Sequence, residues 1–216
     1  DPRGSSNASP PSLPHQPPPR EAAMDKQRGK VLVLGPKRCG KTRIANFLSR
    51  FEENPNFEVY KPTAGTRILE FDEMAKAGKT SMSMQVELWD CSGDRRYESC
   101  WTAILRETHG VIMVYDPTIK EQEKDIEMWH KSFVAPLGLP DSHILIMAHQ
   151  AHAVGGRQYQ APRALSRFAF LNTSLDADEQ THSMREAFTT MLSAIASTAL
   201  ERSKAEMEAS LQAAGV

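Results

Sequence analysis

The stretch Lys30-Val-Leu-Val-Leu-Gly-Pro-Lys-Arg-Cys-Gly-Lys-Thr42 decides the fold of this chain. Its apolar run, Val31–Leu34, predicts a buried strand, and the residues from Lys41 to Arg50 have the pattern of a helix. Between the two lies Gly35-x-x-x-x-Gly40-Lys41-Thr42. A glycine loop that follows a strand and opens a helix is the context that identifies a phosphate-binding loop, or P-loop. The stretch therefore predicts a nucleotide-phosphate site.

The chemistry of a P-loop follows from its backbone. Successive N–H groups point at a phosphate, and the helix adds its positive N-terminal end. Lys41 is placed to reach the β- and γ-phosphates and Thr42 to put a hydroxyl on Mg²⁺. A turn without a ligand is the alternative, and we set it aside because all four fixed positions of the motif match. The predicted phosphate-binding residues are Gly35, Pro36, Lys37, Arg38, Cys39, Gly40, Lys41, Thr42 and Arg43.

Composition bounds the class of protein. With 216 residues, 40% of them hydrophobic and 25% charged, the chain suits one globular domain plus extra segments. A formal net charge of −1 gives no electrostatic case for nucleic acid or anionic membrane. The three cysteines have no metal-site spacing, which favours a reducing interior. The chain has neither a run of ~20 apolar residues nor a prenylatable Cys at its end, so we expect a cytoplasmic protein without a membrane anchor.

Three regions follow from the order of the segments. Residues 1–27 are rich in Pro, Ser and Asn and predict a disordered extension. Residues 28–200 form the domain, and residues 201–216 predict a helical tail that frays at its end. Strands and helices alternate within the domain, which predicts an α/β fold with a doubly wound, mostly parallel sheet and helices on both faces. The predicted strands are Val31–Leu34, Arg67–Asp72, Met82–Asp90, His109–Tyr115, His143–Met147 and Phe168–Leu171. The predicted helices are Lys41–Arg50, Glu121–Val134 and Asp178–Leu211, and a hairpin turn is predicted at 73–81.

Two further elements complete the predicted phosphate end. Asp90 ends an apolar strand and begins Asp90-x-x-Gly93. A carboxylate there would hold Mg²⁺ through water, and the N–H of Gly93 would contact a γ-phosphate. Thr63 lies in a loop after the first helix, either as an ordinary loop residue or as a Mg²⁺ ligand. The order of the three elements favours the second interpretation, which makes Thr42, Thr63 and Asp90 the metal-binding set.

These elements resemble those of Ras-like small GTPases. Tyr60-Lys-Pro-Thr63 resembles switch I, and Trp89-Asp-x-x-Gly93 resembles the start of switch II. The resemblance implies GTP or GDP with Mg²⁺ as ligands and loops that the γ-phosphate keeps ordered. The catalytic position after the D-x-x-G motif holds Asp94 instead of the usual Gln, which favours slow or absent hydrolysis. Lys37 and Arg38 stand where members of the family often have small residues. Their long side chains either obstruct an arginine finger or fold over the phosphates.

The base-recognition element departs from the same family. The family expects Asn-Lys-x-Asp after the fifth strand, where this chain has His149-Gln150-Ala-His152. Thr173-Ser174-Leu175 resembles the last family loop near the base. The resemblance therefore assigns His149, Gln150, Thr173 and Ser174 to the base site and implies weaker selection of guanine.

A narrower resemblance covers roughly Lys30 to Leu200. Thr66–Phe71, Glu87–Asp94, Tyr97–Trp101 and Met147–Gln150 resemble the Rab-like small GTPases of the intraflagellar transport B complex. That implies a protein of the cytoplasm, the cilium or flagellum and the basal body.

The same resemblance implies partners. Loops ordered by nucleotide would dock on the paired coiled-coil subunits of that complex. The alternatives are an actively cycling GTPase and, less favoured, a nucleotide kinase. Near the loops, Ile68, Tyr97 and Trp101 either face a partner or pack in the core, and Ile68 is expected in the core.

Overall fold

The computed structural model describes residues 27–51, 61–150 and 157–213. The predicted Pro-rich extension lies outside these residues, except that Gln27 opens the first strand. Tyr60 of the proposed switch I, with Ala151 and His152 of the base loop, also lies outside the described residues.

Within the described residues, six strands form one sheet in the order β2-β3-β1-β4-β5-β6. The pair β2–β3 is antiparallel and the other pairs are parallel. This confirms the predicted mostly parallel, doubly wound sheet. The strands are β1 Gln27–Leu34, β2 Thr66–Ala77, β3 Thr80–Cys91, β4 Gly110–Tyr115, β5 Ile144–His149 and β6 Ala169–Thr173.

Helices cover both faces of the sheet, as predicted. Alternate residues of β1 show this, since Val31 and Val33 face one apolar cluster while Leu32 and Leu34 face the other. One cluster holds the first and last helices, and the other holds the two between them. Every residue of β4 and β5 is buried, as expected for strands covered on both sides. The α-helices are α1 Lys41–Ser49, α2 Glu98–Ile104, α3 Lys120–Trp129 and α4 Asp178–Ala213.

One helical prediction needs correction, and one helix is additional to those predicted. Sequence periodicity gave one helix over Glu121–Val134, but the α-helix ends at Trp129 and a π-type turn carries the chain through His130–Val134. The seven-residue helix α2 was not predicted. Two turns of helix hold too few apolar positions to establish a 3.6-residue period.

The predicted turn at 73–81 is also much shorter than expected. The strands of the β2–β3 hairpin extend to Ala77 and Thr80, so only Gly78 and Lys79 form the turn. The cause is packing against α4, where the backbone N–H of Lys76 donates to Ser193 Oγ at 3.0 Å. A contact between segments so far apart in sequence is not visible in the local pattern.

Helix α4 continues without a break past the predicted boundary at residue 200. Residues 201–213 of this helix are all exposed. Among the described residues, no helix is both long enough and apolar enough to cross a bilayer.

Candidate functional site

The loop between β1 and α1 wraps tightly around its own backbone. Gly35, Arg38 and Gly40 have φ of 141°, 62° and 87°. A Cβ at Gly35 would lie 2.0 Å from the carbonyl oxygen of Val114, so no larger residue fits there. Gly40 gives α1 no side-chain cap. The first N–H groups of α1 therefore stay available to an anion.

Lys41 is buried inside this loop. Its Nζ donates to the carbonyl oxygens of Gly35 at 3.0 Å and Pro36 at 2.6 Å. Both partners are neutral, so the ammonium charge attracts an anion that binds in the loop. The loop thus combines backbone donors with one buried positive charge.

Cys39 packs beneath the loop. Its Sγ donates to the carbonyl oxygens of Pro36 at 3.1 Å and Val114 at 3.2 Å. Burial raises the pKa of the Cys39 thiol, although the nearby Lys41 opposes the shift. The residue therefore serves as a protonated filler under the P-loop.

Three oxygen-bearing side chains from separate segments meet beside Lys41. Thr42 Oγ1 donates to Asp90 Oδ2 at 2.7 Å, and Thr63 Oγ1 contacts the same oxygen at 3.3 Å. The two hydroxyl oxygens lie 2.9 Å apart. The P-loop helix, the loop before β2 and the end of β3 are therefore joined at one point.

Asp90 has the environment of a cation ligand. It is fully buried, its Oδ1 has no hydrogen-bond partner among the described residues, and Arg67 Nη2 lies 3.6 Å from Oδ2. Burial raises the pKa of Asp90, while Thr42 and Arg67 oppose that rise. An unpartnered carboxylate oxygen beside two hydroxyls fits Mg²⁺, which binds few protein carboxylates and keeps water and phosphate oxygens. In the described part of the chain, no cluster of three or more His, Cys, Asp or Glu side chains offers another metal site.

Gly93 closes on the P-loop from the other side. A Cβ at Gly93 would lie 2.6 Å from the carbonyl oxygen of Gly35 and 2.7 Å from the backbone nitrogen of Lys37. Only glycine permits this approach of two backbones.

Asp94 does not point freely into the site. Its Oδ2 lies 2.9 Å from Lys37 Nζ and 2.8 Å from Arg96, and its Oδ1 accepts the N–H of Arg96 at 3.0 Å. The hydrogen bonds from Arg96 and Lys37 hold the pKa of Asp94 well below its usual range. Lys37 thus reaches across to Asp94. Both predicted roles of Lys37 and Arg38, obstruction of an arginine finger and folding over the phosphates, stay predictions.

The base end of the site is centred on a buried histidine. His149 Nδ1 lies 3.2 Å from Thr173 Oγ1, while Nε2 has no hydrogen-bond partner among the described residues. Its ring stands against Gly40, whose added Cβ would lie 2.3 Å from His149 Cδ2. Burial lowers the pKa of His149 to about 4, with Arg43 adding to the shift, so the ring is neutral at pH 7.

Of the other predicted base residues, Ser174 is as buried as His149 and Gln150 is half-buried. Gln150 Nε2 donates to the carbonyl oxygen of Arg157 at 3.3 Å. Ser174 Oγ accepts the N–H of Asp176 at 3.2 Å. The structure therefore brings His149, Thr173 and the P-loop together, whereas Gln150 lies to one side.

Sequence reasoning missed Gln122, which supports the P-loop from α3. Gln122 is buried, its Nε2 donates to the carbonyl oxygen of Lys37 at 3.1 Å, and its Oε1 accepts the N–H of Asp116 at 2.9 Å. A lone glutamine in a polar helix gives no signal in one sequence.

Among the apolar and aromatic residues near the loops, the prediction for Ile68 was wrong. Ile68 was expected in the core but is 45% exposed. Trp101 is buried against Trp129 and Phe133, with ring centroids 4.9 and 4.2 Å away. Of the three residues considered as a partner surface, Ile68 and the half-buried Tyr97 reach solvent.

The sheet order, the P-loop after β1 and the D-x-x-G motif at the end of β3 define a small GTPase of the Ras-like fold. A family model described as "Ras of Complex, Roc, domain of DAPkinase" matches residues 30–151. The chain is 38% identical over 163 residues to the intraflagellar transport protein 22 homolog of Danio rerio, covering 74% of this chain and 85% of the relative. It is 30% identical over 194 residues to intraflagellar transport protein 22 of Trypanosoma brucei brucei, covering 79% and 87%. The chain belongs to the intraflagellar transport protein 22 family.

Solved structures agree with this assignment. The GTP-bound crystal structure of T. brucei IFT22/74/81 matches with a TM-score of 0.66 and 31% identity, over 82% of this chain and 99% of that chain. The GDP-bound T. brucei IFT22 structure matches with a TM-score of 0.58 and 30% identity, over 79% and 97%.

Proposed function

We propose that this protein is a GTP- and GDP-binding subunit of the intraflagellar transport B complex, whose nucleotide orders loops that dock on coiled-coil partners. The observation that carries the proposal is the meeting of Thr42, Thr63 and Asp90, with oxygen–oxygen distances of 2.7 to 3.3 Å. Through it, a ligand in the P-loop is linked to both candidate switch loops.

Each residue of the phosphate end has a defined role in this proposal. Lys41 and the first N–H groups of α1 hold the phosphates. Thr42, Thr63 and, through water, Asp90 hold Mg²⁺, which offsets phosphate charge when it is bound. Because Thr63 lies in the loop before β2, holding its hydroxyl also orders that loop. The relatives' GTP-bound and GDP-bound structures support this choice of nucleotide.

Hydrolysis is slow or absent in this proposal because of Asp94. An ionised carboxylate only accepts hydrogen bonds, so it does not present the donor that a glutamine amide offers to an attacking water. Lys37 and Arg96 already occupy its oxygens. An actively cycling GTPase, aided by a group from another protein, is the second candidate.

The partners are the two coiled-coil subunits that correspond to IFT74 and IFT81. The T. brucei relative has been crystallised as an IFT22/74/81 assembly, which supports this choice. Exposed Ile68 lies two residues after Thr66, where β2 starts, and five after Thr63. A partner that contacts Ile68 therefore senses the order of the Thr63 loop. The protein accordingly acts in the cytoplasm, at the basal body and in the cilium or flagellum.

Pull-down of the coiled-coil pair tests the proposal. Wild-type protein is compared in nucleotide-free, GDP and GTP forms with Lys41→Ala and Thr63→Ala, and with Lys120→Ala as a surface-lysine control. We expect the GTP form and the control to bind best, because a loop already ordered costs the partner less entropy. If folded nucleotide-free protein binds as tightly as the GTP form, the nucleotide does not control docking.

A further inference from the structure

The P-loop and the start of switch II are joined by the chain's own charges. Asp94 lies directly after Gly93 and is only 12% exposed at its side chain. Of its two cationic neighbours, Arg96 belongs to the same short turn, Arg95–Tyr97, and so acts locally. Lys37 belongs to the P-loop, so its 2.9 Å contact with Asp94 ties two separate segments together.

Lys37 is itself held in place from a third element. Gln122 of α3 donates to its carbonyl oxygen at 3.1 Å, and the backbone N–H of Asp116 fixes the amide of Gln122 at 2.9 Å. The backbone of Lys37 is thus anchored while its side chain spans to Asp94. Charge-assisted bonds of this kind are stronger than neutral ones. The Asp94 side chain is 12% exposed and that of Lys37 is 56% exposed, so water screens the pair from the lysine side.

The Asp94 carboxylate also organises the segment that follows. Its Oδ1 caps the Arg95–Tyr97 turn by accepting the N–H of Arg96, and its backbone oxygen accepts the N–H of Tyr97 at 3.1 Å. Holding this one side chain therefore holds residues 93–97. All of these contacts are made between groups of the chain itself.

We propose that Lys37 is a positioning residue that keeps residues 93–97 closed on the P-loop through Asp94, whether or not a γ-phosphate is bound. The γ-phosphate then controls order mainly at the Thr63 loop. The Lys37–Asp94 ion pair does not depend on the proposed nucleotide function. The claim that the γ-phosphate orders mainly the Thr63 loop rests on that function. We call this arrangement a one-loop switch, because the γ-phosphate orders the Thr63 loop and residues 93–97 are held by the ion pair.

Hydrogen–deuterium exchange on nucleotide-free protein tests the ion pair directly. We expect Lys37→Met to speed exchange of the amides of Arg96 and Tyr97 about 3- to 10-fold, the range for losing one ion pair to a mostly buried carboxylate. Lys37→Arg keeps the charge and is expected to restore most of the protection.

A double variant separates the ion pair from general destabilisation. Asp94→Asn combined with Lys37→Met should exchange no faster than Asp94→Asn alone, because the same contact is already lost. Glu73→Gln is the matched control, since it breaks an ion pair with Arg50 of similar exposure, 66% and 15%, on β2. Unchanged exchange at Arg96 and Tyr97 in Lys37→Met, or an equal change in Glu73→Gln, overturns the proposal.

The division between the loops is tested by comparing GDP and GTP forms. In wild type, γ-phosphate-dependent protection is expected at 63–66 and not at 94–97, and Lys37→Met should extend it to 94–97. Equal protection of both segments in wild type overturns the one-loop switch. If neither nucleotide protects 63–66, the proposed function fails, while the nucleotide-free result still stands for the ion pair.

Discussion

The P-loop end and the β5–β6 end of the site differ in how their polar side chains are partnered. At the P-loop end, Lys41 Nζ donates to the carbonyl oxygens of Gly35 and Pro36, and Thr42 Oγ1 donates to Asp90 Oδ2, all within 3.0 Å. Asp90 Oδ1, which has no partner among the described residues, lies beside these joined groups. At the β5–β6 end, His149 Nε2 has no partner among the described residues, and Gln150 turns to the Arg157 backbone. Binding a phosphate needs charge and backbone donors in one loop, so the groups that supply them lie close together in the sequence. Selecting a base depends on a few separate side chains, and these can change without disturbing the loop.

Lys41→Ala is expected to have the largest effect, because it removes the buried positive charge of the P-loop. A ligand at ~100 times its Kd stabilises a fold by about 2.7 kcal/mol. For a domain of this size that raises Tm by roughly 5–10 °C. We expect this shift with GTP and Mg²⁺ in wild type and in Lys120→Ala, but not in Lys41→Ala, as measured by thermal melting. A full shift in Lys41→Ala would show that the ligand is held elsewhere.

His149 gives the β5–β6 end a pH dependence. Its pKa is lowered from 6.5 to about 4 in the folded protein, so the unfolded chain binds more protons between these values. Stability is therefore complete above about pH 6.5 and falls as pH drops towards 4. We expect His149 to contribute roughly 2 kcal/mol to the loss between pH 7 and pH 5. His149→Asn should remove this part and leave the part due to His109, His130 and His143, whose pKa values burial also lowers. Denaturant titrations at both pH values measure the difference, and an equal loss in His149→Asn would assign it to another group.

The preference for one nucleotide base over another tests the same β5–β6 end of the site. A site rejects an analogue when its own polar groups are left unpaired, and the carboxylate that reads guanine is missing from the family position here. We expect GTP to be preferred over ITP by only about tenfold, or roughly 1.4 kcal/mol. Competition binding with GTP, ITP, XTP and ATP tests this. A preference of several thousandfold would mean that another group, such as Gln150, reads the base.

Asp94→Gln is expected to have the smallest effect. Unaided small GTPases with the glutamine hydrolyse at on the order of 10⁻⁴ s⁻¹, and we expect no faster rate here. The variant should raise the single-turnover rate by about threefold or less, because Lys37 still stands beside the site. A rate of order 1 s⁻¹ in wild type without a partner contradicts slow hydrolysis.

Much of the fold could be predicted because local patterns encode it. The strand, glycine loop and helix at 31–50 need only adjacent residues, and the buried runs of β4 and β5 are visible as unbroken apolar letters. Helix α2 escaped prediction because it is short. The turn of the β2–β3 hairpin was predicted too long because the strand residues next to it contact α4, which is far along the chain.

The sequence by itself determined the class of site, since the P-loop and the D-x-x-G motif each lie within a few residues and carry their chemistry in fixed spacing. Only the tertiary structure decided what the unusual residues do. It paired Lys37 with Asp94, set Gln122 under the P-loop, left Ile68 exposed and placed His149 against Gly40. These relations join residues from different strands and helices. Their distances depend on how the sheet and its helices pack, and no local spacing records that packing.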